Sequence, residues 1–190
     1  MRERSNNTQH ISTMALDTSS SSSVPFSLKA SREMDPRHAQ ETLHLFNAVM
    51  GGDAHHCNAN SPGFFQDFVR SSVTVDHIQR GRISSTILPK PPLCNTYGTL
   101  HGGSVGALVN VLSHACVRTV VGENKELLLG ETSISYLSAT PIHEELVAIA
   151  SVVKSGRNLS IVALDFKLKK TGNSIYICHS TFYHMPVSCL

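Results

Sequence analysis

Asn95-Thr96-Tyr97-Gly98-Thr99-Leu100-His101-Gly102-Gly103 runs without a break into Ser104-Val105-Gly106-Ala107-Leu108-Val109-Asn110-Val111-Leu112-Ser113-His114-Ala115-Cys116-Val117-Arg118, and this stretch decides the fold. A polar, glycine-punctuated loop leads into a segment that is apolar on most sides, so the spacing predicts a helix from Ser104 to about Val121, largely enclosed by the rest of the chain. Its polar exceptions Asn110, His114 and Arg118 recur every four residues and make one stripe, with Ser113 beside it. The flanking sequence is β-like. Upstream, residues 73–78 and 83–88 predict a hairpin turning at Gly81, ended by Pro89, Pro91 and Pro92, which cannot donate to a ladder. Downstream, residues 127–137, 144–154, 158–168 and 174–184 read as strands, with Gly156 and Gly172 in short turns of an antiparallel meander. A hairpin, one buried helix and a run of strands predict an α+β architecture, an antiparallel sheet wrapped around a single long helix.

The rest of the 190 residues bounds the function class. Sixteen basic and fourteen acidic side chains give a formal charge of +2, without the clustered basic excess that a nucleic-acid surface needs. No apolar run reaches the roughly 18 residues of a membrane span; Asn110, Ser113, His114 and Arg118 interrupt the longest. Residues 1–34 form a Ser-rich tail with no lasting hydrophobic period, expected to be disordered. Residues 35–70 form a helical extension opened by Asp35-Pro36, and residues 71–190 the main domain. The five cysteines form no Cys-x-x-Cys pair, which points to reduced thiols inside a cell rather than a disulfide framework or zinc ribbon. His55-His56-Cys57 reads as a polar loop, so no metal is expected. The chain ends Ser188-Cys189-Leu190, which resembles a peroxisomal Ser-Lys-Leu address with cysteine in place of the basic residue; the basic, Ser-rich start leaves mitochondrial and cytoplasmic placement open.

The chemistry is expected at the helix entrance. A first helical turn carries unpaired N–H groups and the positive end of the helix dipole, and glycines at 102 and 103 let an oxygen approach them closely. Such donors stabilise the oxyanion formed when an acyl carbon is attacked. Tight packing of helix on sheet asks for glycine equally.

Asn95-x-x-Gly98-Thr99-Leu100-His101-Gly102-Gly103, the apolar helix, and Ser135-Tyr136-Leu137-Ser138 beyond it resemble the hotdog-fold acyl-CoA thioesterases. The similar subgroup contains acyl-coenzyme A thioesterase 13 and the bacterial phenylacetate-pathway enzymes. The resemblance spans about residues 73–185 and implies a homodimer or homotetramer with active sites between subunits. The implied reaction is hydrolysis of a fatty or aromatic acyl-CoA, with coenzyme A entering as part of the substrate and no separate cofactor. It implies that Asn95 positions the thioester or attacking water, that His101 orients the thioester, and that Gly102 and Gly103 supply backbone donors to its carbonyl.

The departure lies seven residues past Gly103, where the resembling proteins carry Asp or Glu as base or nucleophile and this chain has Asn110. An amide cannot take a proton from water, and losing a general base costs roughly 10²–10⁴ in rate. The family serine on the next strand falls at about Leu129. Strand alternation would point Glu131 the same way as Leu129, making Glu131 a substitute carboxylate, with His114 a second candidate base. For the coenzyme's phosphates, Lys154-Ser155-Gly156-Arg157 matches a basic-Gly-basic turn of the resembling proteins; Arg80 and Arg82 are alternatives. Two readings follow: a hydrolase with a rearranged base, or a non-catalytic acyl-CoA-binding protein in which Asn110 marks lost chemistry. A thioester dehydratase fits the Asn-to-Gly-Gly arrangement less well.

Overall fold

Alternating apolar and polar residues bring most of the strands onto one sheet, and the enclosed helix fills its concave side. The computed structural model describes residues 71–186 together with Lys29, Ala30, Arg37, Gln40 and Val69. The remainder of the tail and of the 35–70 extension, His55-His56-Cys57 and Ser188-Cys189-Leu190 lie outside the described residues. The elements are β1 (Lys29–Ala30), β2 (Val73–Gln79), β3 (Arg82–Ile87), α1 (Gly102–Arg118), β4 (Lys125–Tyr136), β5 (Leu146–Ser155), β6 (Leu159–Leu168) and β7 (Ser174–Pro186). They form one seven-stranded sheet in the order β1-β2-β3-β5-β6-β7-β4. The β2–β3 hairpin turns at Gly81 (φ 74°) and the β6–β7 turn uses Gly172 (φ 75°), both in the left-handed region that favours glycine.

Three features go beyond the sequence reading. Lys29–Ala30, inside the stretch read as tail, pairs in parallel with His77–Ile78, whereas the other pairings are antiparallel. A 3₁₀ turn, Pro91–Leu93, leads into the loop before the helix. The strand after the helix does not sit beside its sequence neighbour β5 but crosses to the far edge and pairs with β7.

The core lies between α1 and the inner sheet face. Val105, Leu108, Val109, Leu112, Ala115, Cys116 and Val117 meet Ile78, Ile83, Ile87, Leu146, Ala148, Ala150, Val162, Leu164, Phe166, Cys178 and Phe182, all buried. Burying a side chain of this kind stabilises by about 1.5–3 kcal/mol relative to exposure, which keeps a glycine-opened helix in place. The helix exit is fastened too. The Thr119 hydroxyl donates to the Cys116 carbonyl (2.7 Å) and accepts from Gly81 N (2.7 Å), tying the end of α1 to the first hairpin. Arg118 donates to the carbonyls of Gly122 (3.0 Å) and Lys125 (2.7 Å), closing the turn into β4.

Candidate active site

The loop before α1 is held by its own polar groups. Asn95 Oδ1 accepts from the backbone N–H of Tyr97 (3.0 Å) and Thr99 (3.2 Å), while its Nδ2 donates to Thr99 Oγ1 (2.9 Å). Both ends of the amide are therefore engaged in shaping the loop, the turn role open to an asparagine in this position. His101 N donates to the Leu93 carbonyl (2.9 Å) and Leu100 N to the Thr140 carbonyl (2.8 Å), fixing the loop to the neighbouring chain segments.

The helix begins two residues earlier than Ser104 because His101 caps it. Its Nδ1 accepts from Gly103 N (2.9 Å). A neutral ring whose Nδ1 accepts carries its hydrogen on Nε2, and the ring is exposed. The Gly103 N–H is thus consumed within the chain. The Gly102 N–H has no acceptor among the described residues, while the Gly102 carbonyl accepts from the Tyr136 hydroxyl (3.0 Å). A Cβ on Gly102 would lie 3.5 Å from that hydroxyl, and one on Gly103 only 3.1 Å from His101 Nδ1. Gly102 N–H and His101 Nε2–H are therefore donors left at the mouth, whereas the Gly103 amide is not. Tyr136, which roofs Gly102 and stacks edge-on against Tyr176 (5.6 Å), was not singled out as a site residue; its position ending a long strand two residues before Ser138 was the available signal.

Asn110 lies two turns further on, about 12 Å along the axis from Gly102, and is exposed. Glu131 does not join it. The β4–β7 register slips between Leu129 and Glu131, leaving Gly130 as an extra residue. Leu127, Leu129 and Ile134 pack on the core, and Thr132 Oγ1 meets the buried Ser180 Oγ at 3.1 Å, so the inward positions are 129 and 132. Glu131 is exposed on the opposite face. Simple alternation fails here because a bulge inserts one residue and inverts the faces beyond it. His114, one turn past Asn110, packs edge-on against Phe182 (5.5 Å), and burial, reinforced by the Arg118 charge, pushes its pKa down to about 4. It is a neutral and weakly basic group near pH 7.

Lys154, Gly156 and Arg157 are exposed in the β5–β6 turn. That turn lies at the far end of α1. The Lys125 ammonium donates to the Arg157 carbonyl (2.7 Å), and the Lys125 carbonyl accepts from Arg118 in the last helical turn. Seventeen helical residues separate the two ends by about 25 Å. Arg80 and Arg82 flank Gly81, which binds Thr119 at the same far end. Among the described residues no group of three His, Cys, Asp or Glu side chains could hold a metal, and no helix is long and apolar enough to cross a membrane.

A curved sheet around one helix with exposed donors at the helix mouth defines the class, a hotdog-fold thioester hydrolase. The chain belongs to the thioesterase superfamily, whose sequence model matches residues 97–175. It is 30% identical over 118 residues to mouse acyl-coenzyme A thioesterase 13, covering 60% of this chain and 79% of the relative. The structure of zebra fish thioesterase superfamily member 2 superposes with a TM-score of 0.62 at 28% identity, over 75% of this chain and 94% of the other. A Streptococcus pneumoniae thioesterase crystallised with coenzyme A shares the fold at 20% identity, with a TM-score of 0.56 over 61% and 88% of the two chains.

Proposed function

We propose that the chain hydrolyses acyl-CoA thioesters, fatty or aromatic, to the free acid and coenzyme A. The observation that carries this reading is the unpaired Gly102 N–H beside an exposed His101 whose Nε2 carries the hydrogen. The thioester oxygen accepts from both. Water adds to the carbonyl carbon, negative charge collects on that oxygen, and the C–S bond then breaks to release the acid and the coenzyme thiolate, which takes up a proton. The mouse relative's name supports the substrate class.

Asn95 acts through the loop it shapes, holding His101 and Gly102 in place. Asn110 stands too far along α1 to reach a thioester held at Gly102 of the same chain. The Asn110 of a second copy therefore orients the attacking water through its amide and leaves the proton to solvent, and turnover is slower by about 10²–10⁴ than with a carboxylate there. Lys154, Gly156 and Arg157 take the coenzyme's phosphates. Because this turn and the helix mouth stand at opposite ends of α1, a second copy completes the site. Among the described strands β4 ends the sheet, and antiparallel pairing of two such edges brings the turn of one copy towards the mouth of the other.

A second reading, a non-catalytic acyl-CoA-binding protein, is favoured by Asn110 and by the outward placement of Glu131. Thiol release from a panel of acyl-CoAs, beside calorimetry with a non-hydrolysable analogue, separates the two. The hydrolase reading expects slow release by the wild type and a gain of about 10²-fold or more in Asn110→Asp. Binding without any release by the wild type, with release appearing only in Asn110→Asp, favours the binder.

A further inference from the structure

Beneath the β5–β6 turn, side chains of two strands converge on one backbone carbonyl, that of Arg157, and a third strand supports one of them. From the start of β4 the Lys125 ammonium donates to it at 2.7 Å. From β7 the ring of His184 faces it, Nδ1 to oxygen 3.2 Å. A carbonyl only accepts, so Nδ1 carries the hydrogen. The other ring nitrogen, Nε2, lies 2.9 Å from Oγ of Ser160 on β6, a fully buried side chain, and Ser160 Oγ is in turn 2.9 Å from Ser155 Oγ on the far side of the turn. Backbone bonds close the ring: His184 N donates to the Asn158 carbonyl (2.8 Å) and Gly156 N to the Leu159 carbonyl (2.9 Å).

Turns of this length are normally free to sample several backbone states at the surface. Here the amide plane of Arg157 is held from below by an ammonium and an imidazole, while Lys154, Gly156 and Arg157 themselves remain exposed on the outer side. Ordering a charged loop before the ligand arrives removes that cost from binding. None of the three supporting side chains needs to touch the ligand to do this.

We infer that His184 and Lys125 are positioning residues that preset the Lys154–Arg157 turn for the phosphate groups of coenzyme A. The inference rests on the assignment of that turn to the coenzyme in the proposed function. Calorimetric titration of the full chain with coenzyme A and with pantetheine, which shares the thiol arm and lacks the nucleotide phosphates, tests both. Arg157→Ala weakens coenzyme A binding by about tenfold and leaves pantetheine unchanged. His184→Ala weakens coenzyme A by about five- to tenfold and spares pantetheine; His184→Asn, which keeps an N–H where Nδ1 stands, recovers most of the loss. Lys125→Met acts on the same carbonyl from a partly exposed position and shows the same selectivity, so an unfolded His184→Ala does not end the test. Wild-type binding by Arg157→Ala removes the phosphate assignment. A weakened Arg157→Ala beside wild-type affinity in His184→Ala and Lys125→Met overturns the positioning role alone, as does an equal loss for both ligands or a failure of His184→Asn to rescue.

Discussion

Acidification tests the packing around the helix stripe. His114 sits against Phe182 with its pKa pushed down to about 4, first by burial and then by the charge of Arg118. In the unfolded chain the ring titrates near its ordinary value of 6.5. Between those values the unfolded chain binds a proton that the folded chain refuses, so stability rises with pH across this window. The contribution is fully present above about pH 6.5 and is lost as pH falls towards 4. A separation of about 2.5 units at about 1.4 kcal/mol each sets the ceiling near 3 kcal/mol, of which about 2 kcal/mol is gone by pH 5, before most carboxylates titrate. Urea denaturation of wild type and His114→Gln at about pH 7.5, 6 and 5 reads this directly, because the other histidines are common to both proteins. The wild type should lose about 2 kcal/mol more than the variant between the extremes. Parallel pH profiles in the two proteins would refute the picture of a buried, neutral His114.

Two further outcomes follow from the same geometry. In Gly103→Ala the new methyl stands 3.1 Å from His101 Nδ1 and 3.3 Å from Cε1, so the exposed ring swings out of its cap. Stability should fall by only about 1 kcal/mol while turnover drops at least about tenfold, and unchanged kinetics in a folded variant would remove Nε2–H from the mechanism. Burial pushes the thiols of Cys116 and Cys178 each up to about 12, and both side chains are inaccessible. Maleimide labelling read by peptide mass spectrometry should therefore leave both unmodified in the native protein and modify both in urea. Native-state labelling of either at the rate of an exposed thiol contradicts the burial of Cys116 and Cys178 in the core.

What the sequence alone determined is whatever depends on local periodicity and on residue type. The apolar run after His101-Gly102-Gly103 predicts the enclosed helix, and alternation predicts six of the strands, because burial of one face writes its period into the chain. Glycines 81 and 172 mark turns that require positive φ. The glycine pair at the helix entrance marks where the chemistry is sought. Tertiary structure decided the rest. Only the folded loop reveals that His101 takes the Gly103 amide for its own cap while the Gly102 amide stays open, and that both ends of Asn95 are engaged with its neighbours. Only the β4–β7 register exposes the extra residue at Gly130 that turns Glu131 outward; a bulge is set by the pairing of two strands distant in sequence, and period-two reading of one strand cannot contain it. The crossing of β4 to the sheet edge, the 25 Å or so between helix mouth and basic turn, and the meeting of Lys125, His184 and Ser160 beneath Arg157 are likewise long-range facts. They join residues up to about 60 positions apart, and hydrogen bonds between such residues form only once the whole sheet has closed.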